Sequence, residues 1–227
     1  MPQRYAKTFG AERGINRLEG FSDAVFAIAL TLLIVEIKVP GSPDGPHGYS
    51  DLAHAMAEQW REFFALALCY VVIGAYWLQH HYSGCIYAKS DHWFSAIKLV
   101  FLLAIVVIPY PIRVWCFHVG SRFEASGSVT LVVGLALTAC TWMAMWFYAM
   151  WGSRLVDQRL APDFVQQMTR RYGIGTLIQI AAVPVVVVAP RLGVAIALLC
   201  VAFFLLPQAK PRYKPGQEPS ADQKLNE

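Results

Sequence analysis

A chain of 227 residues with 56% apolar and only 15% charged residues, and a positive mean hydropathy, has the composition of a protein whose solvent is mostly lipid, which excludes an ordinary soluble domain. Its five cysteines are odd in number and lack any C-x-x-C spacing, so neither a disulfide framework nor a zinc site follows. The net charge of +4 comes from basic residues that flank apolar runs without interleaved aromatics, a pattern that marks membrane topology and not nucleic-acid binding.

The chain opens with a short basic segment, residues 1–16, carrying Arg4, Lys7 and Arg13. It is similar to the n-region of a signal peptide, but the apolar run behind it is too long and contains an internal Ser-Asp, so the first helix is expected to be retained. That run, RLEGFSDAVFAIALTLLIVEIKV, extends from Arg17 to Val39. Its twenty residues from Gly20 to Val39 are enough at helical rise to cross a hydrocarbon core of about 30 Å.

Ser22 and Asp23 lie near the start of this span. An ionised carboxylate inside a membrane needs a partner or a water-filled cavity. Arg17 is six residues away, too far round the helix for an i, i+4 pair, so the partner of Asp23 belongs to another segment. At about 100° per residue, Arg17, Phe21, Ala24, Ile28, Thr31, Leu32, Val35 and Val39 share one stripe and Ser22 and Asp23 point away from it. The spacing of Ile28, Leu32 and Val35 suits a dry constriction and equally suits any helix packed on its neighbours. Left to itself, Thr31 would bond its own i−4 carbonyl.

Pro40 to Gly48 ends the first span. A second runs from Ala57 or Phe63 to Tyr82 and closes on Trp77, His80 and His81. The two histidines are adjacent, about 100° apart on a helix, and cannot offer one metal face as an i, i+4 pair would. After a short turn from Ser90, the third span runs from Trp93 to Trp115. It is apolar except for Lys98, and Pro109 and Pro111 should kink or stop it. Arg113 and Arg122 are expected to bracket the next loop.

The fourth span, Val129 to Trp151, is rich in aromatics toward its end, as expected at an interface. Arg154 to Arg171 reads as polar and mostly exposed. The fifth, Ile174 to Val188, contains Pro184, and the sixth, Leu192 to Leu206, follows as a tight hairpin. From Pro207 the mixed-charge, proline-rich sequence reads as a disordered tail. The expectation is therefore an all-α polytopic membrane protein with an N-terminal segment over residues 1–16, one six-helix domain over 17–206 and a tail over 207–227. With six spans, thirteen Lys and Arg fall on the side of the termini and five on the other, which places both termini in the cytoplasm of a cell membrane.

Arg17-x-x-x-Phe21-Ser22-Asp23, followed by AVFAIALTLL, together with Tyr76-Trp77-x-x-His80-His81 and Pro109-Tyr110-Pro111, resembles the transmembrane-protein-175 family of potassium channels in its short prokaryotic form. The resemblance touches the first three helices; the later ones match by hydropathy. It implies a homotetramer in the lipid bilayer with four first helices around a central axis, passive potassium permeation, and no cofactor. Ile28, Leu32 and Val35 then match the bulky aliphatic positions that narrow the pore, and Thr31 a hydroxyl position tied to potassium preference.

Under the same resemblance Arg17, Phe21, Ser22 and Asp23 join the first helix to its neighbours through hydrogen bonds, with Trp77, His80 and His81 as partners. Lys98 departs from the pattern, since many relatives carry asparagine at that distance before the Pro-x-Pro. A buried ammonium should find a carboxylate such as Asp23 or snorkel to water. Glu36 and Lys38 lie at the outer mouth, where Glu36 would be interfacial or would concentrate cations.

No T-V-G-Y-G run and no helix with arginine at every third position is present, so neither a carbonyl filter nor a voltage sensor is expected. A second function remains open: proton conduction or proton-coupled transport through Asp23, His80 and His81. An intramembrane enzyme is not expected, because no nucleophile stands at fitting spacing from a base and no cofactor motif occurs.

Overall fold

The computed structural model describes residues 13–42, 45–48, 51–153 and 155–218. Most of the N-terminal segment, Arg154 and the end of the tail lie outside them. Long apolar runs in lipid must satisfy every backbone group internally, which favours helices, and the described residues are mostly helical.

The first helix, α1 (Asn16–Thr31), tightens into a 3₁₀ segment over Leu32–Glu36. A short α2 (Leu52–Glu58) precedes α3 (Trp60–Ser83). Then come α4 (His92–Val107) and α5 (Pro109–His118), α6 (Glu124–Met150), α7 (Pro162–Val188) and α8 (Pro190–Phe203). Among the described residues, five helical stretches are long and apolar enough to cross a membrane: Asn16–Glu36, Trp60–Ser83, His92–His118, Glu124–Ser153 and Pro162–Val188. At 14 residues, α8 is apolar but shorter.

Local chemistry sets the helix starts. The Asp51 carboxylate accepts from His54 N (3.2 Å) to open α2, and Asp91 accepts from Phe94 N (2.8 Å) to open α4, each satisfying a donor that the first turn leaves orphaned. Proline stands in the first turn of α5, α7 and α8, where its missing N–H is not needed. For that reason Pro109 breaks α4 from α5 without ending the span, and Arg113 lies inside α5 instead of at the edge of a loop.

The stretch from Arg154 to Arg171 also differs from expectation. Leu155, Val156, Leu160, Phe164 and Met168 are buried. From Pro162 onward the stretch is already α7, with Phe164, Met168 and Tyr172 at i, i+4 and i+8 facing inward and Gln166, Gln167 and Arg170 outward. The alternation of faces hides an amphipathic helix in a sequence of polar average. Asp157, in the connection ahead of α7, is paired through both carboxylate oxygens with Arg159: burial acts to raise its pKa, and hydrogen bonds from Arg159 outweigh it and hold the carboxyl below its usual range.

Helix α6 is the hub and packs against α4, α5, α7 and α8. Around it lies an aromatic core, with Trp142 edge-on to Phe101 and Tyr172 (5.3 and 5.6 Å between centroids) and Trp146 edge-on to Tyr172 (4.9 Å). Helix α7 runs unbroken past Pro184. Its turn onto α8 is tight enough that a side chain at Gly193 would collide with the Val186 backbone, so only glycine allows the approach.

One end of the molecule is stitched by backbone pairing that the all-α expectation omitted. Strand β1 (Arg13–Gly14) pairs antiparallel with β2 (Lys89–Ser90). Tyr87 bridges Val156, and Leu160 bridges Tyr213. The tail contributes here: Lys214 N donates to Arg159 O and Ala161 N to Arg212 O, both at 2.8 Å, and Tyr82 Oη donates to Ala209 O. At the opposite end Gln59 Nε2 donates to Lys38 O (2.7 Å) and Arg191 Nε to Glu124 Oε1 (2.7 Å).

Candidate functional site

Among the described residues helix α1 packs chiefly on α3 and α4, along one side of this bundle. Its inner face carries Ser22 and Phe26, both fully buried, while Phe21, Ile28, Leu32 and Val35 are 50, 56, 57 and 62% exposed. Ala24 and Thr31 are exposed on the same side, while Val39, also exposed, lies beyond the helix, past the extended Ile37. The change to 3₁₀ winding after Thr31 places Leu32 and Val35 one above the other, since i and i+3 eclipse at three residues per turn. An apolar ladder from Ile28 to Val35 is thereby left mostly uncovered by the described residues of its own chain.

Thr31 sits within that ladder. Its hydroxyl donates back to Ala27 O at 2.8 Å, with a longer contact to Ile28 O at 3.3 Å. With its single proton used inside the helix, the exposed Oγ1 can offer outward only acceptor lone pairs.

On the flank facing α3, Trp77 Nε1 donates to Asp23 Oδ1 at 3.1 Å. His80 Nδ1 lies 3.9 Å from the same oxygen, beyond hydrogen-bond reach. The His80 ring is buried against Phe26, 5.5 Å between centroids. His81 turns the other way and stacks on Trp77 at 5.3 Å. Ser22 donates its hydroxyl back to Leu18 O at 2.7 Å, within its own helix, and bonds no other helix among the described residues. Arg17 is exposed and bonds to none of the described residues.

Lys98 is 1% exposed on α4, and its ammonium has no hydrogen-bond partner among the described residues. It does not snorkel. The charges it faces are those of Glu19 first and Asp23 second. Glu19 is the residue that sequence reasoning passed over, although its i, i+4 spacing from Asp23 puts both carboxylates on one face of α1. Its carboxylate fits against Gly84 at the end of α3, where an added side chain would come within 3.0 Å of Glu19 Oε1.

At the other end of the stripe, Glu36 Oε2 pairs with Arg113 Nη1 at 3.3 Å. Among the described residues, no group of three or more His, Cys, Asp or Glu is placed to hold a metal ion.

These features define a helical membrane protein whose first helix is pinned on one flank by polar contacts and uncovered on the other. Residues 17–109 match the family model described as endosomal/lysosomal potassium channel TMEM175. The chain is 32% identical over 166 residues to a potassium channel of Streptomyces collinus, covering 71% of this chain and 77% of that one. It is 26% identical over 197 residues to a potassium channel of Chamaesiphon minutus, covering 84% and 93%. It superposes on the crystal structure of a lysosomal potassium-selective channel TMEM175 homolog from Chamaesiphon minutus with a TM-score of 0.68 at 23% identity, covering 84% and 95%; at that identity the likeness speaks for the fold. The chain belongs to the TMEM175 family and is a multi-pass membrane protein. The family is one of channels, not enzymes.

Proposed function

We propose that this chain is the subunit of a potassium-preferring cation channel, a homotetramer in which four copies of α1 surround the conduction path and ions move passively down their gradient. One observation carries the reading: the face of α1 that its own chain leaves uncovered bears Ile28, Leu32 and Val35 in a ladder and includes the outward oxygen of Thr31. The potassium channels among its relatives support the choice of ion. Rings of Ile28, Leu32 and Val35 force each ion to shed water, which potassium does more cheaply than sodium, and Thr31 returns part of that cost. Asp23, held by Trp77, and Lys98, facing Glu19 and Asp23, fix the flank of α1 and touch no ion.

Residues 17–206 form the channel domain, with α8 as a sixth crossing. The bridge between Leu160 and Tyr213, which returns the chain after α8 to the start of α7, supports that crossing. The excess of Lys and Arg supports cytoplasmic termini. In a Cys85→Ser background, His47→Cys in the first loop should react with a membrane-impermeant thiol reagent from outside intact cells. Labelling from the cytoplasmic side alone refutes the orientation.

A proton relay through Asp23, His80 and His81 has less support. Neither ring nitrogen of His80 has a hydrogen-bond partner among the described residues, and His81 points to another face.

Ile28→Asn tests the pore. It hydrates the ring and offers acceptor oxygens, so single-channel current should rise and potassium preference fall in a protein that still elutes as the assembled species. If Ile28 is only a packing residue, a buried, unpartnered amide costs roughly 1–3 kcal/mol and the protein is poorly assembled and silent. An assembled Ile28→Asn protein with unchanged conductance and selectivity removes Ile28 from the path.

A further inference from the structure

Glu36 closes the 3₁₀ segment. At Ile37 the backbone becomes extended (φ −83°, ψ 112°) and leaves the helix axis, and Gln59 holds the next carbonyl, Lys38 O. Glu36 is therefore the carboxylate next above Val35, at the mouth of the path proposed for α1. It does not stand alone, because Arg113 reaches it from α5, a helix that packs mainly on α3 and α6. The pair brings together side chains 77 residues apart. A ring of unpaired carboxylates at the mouth of a cation path raises the local cation concentration. A carboxylate with a guanidinium 3.3 Å away presents only a dipole, whose field falls off faster.

We propose that Arg113 is an electrostatic brake on cation entry: by pairing with Glu36 at the mouth of the path, it cancels the negative field that Glu36 would otherwise set in front of the pore. The proposal rests on the assignment of α1 as the pore helix. Other charges share this end and are common to every variant of the test: Glu58 and Glu62 flank Gln59, which bonds Lys38 O. Lys38, exposed two residues on, adds positive charge, and Arg61 lies over the Trp60 ring at 5.4 Å. Both side chains of the pair are accessible to solvent, 64% for Glu36 and 35% for Arg113. Ion pairs of this kind contribute little to the fold, so their removal changes the field and leaves the bundle in place.

The experiment is single-channel potassium current through reconstituted full-length protein, entering from this mouth. It is run at about 0.01 M salt, where fields reach roughly 30 Å, and at about 1 M, where they reach roughly 3 Å. At low salt Arg113→Gln should raise the current about twofold or more and Glu36→Gln should lower it. The double substitution, which restores the mouth charge, should return toward wild type. Arg113→Lys should behave as wild type, and all differences should vanish at high salt.

Should Arg113→Gln fail to assemble, Glu36→Gln and Arg113→Lys still decide the matter through the predicted fall and the predicted equality. Currents of the assembled variants equal to wild type at low salt overturn the brake and leave the channel reading intact. So does a change of equal size at both salt concentrations, which marks a structural effect. A wild-type protein without potassium current overturns the channel reading itself, and the brake with it.

Discussion

Helices α1 and α6 are about equally apolar, yet little of the first is buried in the chain and more than half of the second. Apolar surface in lipid is not driven inward as it is in water, so burial there reports packing and not hydrophobicity. The contrast separates two jobs. Helix α6 carries the aromatic core that holds the bundle together. Helix α1, pinned along one flank by the bond from Trp77 to Asp23, turns a face toward something other than its own chain. Thr31, its proton donated to Ala27 O, adds an outward oxygen to that face, while Asp23 belongs to the pinned flank.

The sharpest way to break the contrast is at the hub. Trp146 is fully buried, its indole N–H donates to Thr169 Oγ1 at 2.9 Å, and its ring meets Tyr172 edge-on. Trp146→Ala should lower stability by roughly 3–5 kcal/mol, the scale of large-to-small core changes, read as an earlier thermal unfolding in detergent. A loss below about 1 kcal/mol would mean that α6 is not the organising helix.

Asp23→Asn comes next. It keeps an oxygen for the Trp77 indole but removes one of the two charges facing Lys98. Stability or assembly should fall by about 1 kcal/mol while the potassium-to-sodium permeability ratio stays put. A shifted ratio in an intact assembly would place Asp23 on the conduction path. Gly20→Ala, on α1, should do least. Nothing lies within 4 Å of the added methyl in the single chain, and alanine favours the helix by up to about 1 kcal/mol, so the variant should be equal to or slightly more stable than wild type. A clear loss would reveal a neighbouring copy packed closely against that point.

Several elements could be read in advance because they are local. The length of the apolar runs located the first four spans, and Pro109 with Pro111 located the break between α4 and α5. The adjacency of His80 and His81 already implied two faces, and they take two. The start of α7 was missed by twelve residues, Pro162 instead of Ile174, because a polar average masked an inward face of Phe164, Met168 and Tyr172. Of the tail expected to be disordered, residues 207–218 run along the base with backbone bonds to Arg159 and Ala161, and residues from 219 lie outside those described.

The sequence by itself determined that this chain is a helical membrane protein, where its principal apolar segments run, and which motif joins it to its family, since each depends on composition, length or spacing within one segment. Tertiary structure alone decided that Lys98 is buried behind α1, near enough to feel the charges of Glu19 and Asp23, that Arg113 meets Glu36 across 77 residues, and that α1 rather than α6 keeps an open face. Periodicity states which side chains share a face of a helix. Which faces meet is set by how the helices pack, and two helices of equal hydropathy carry no local mark of which will be covered.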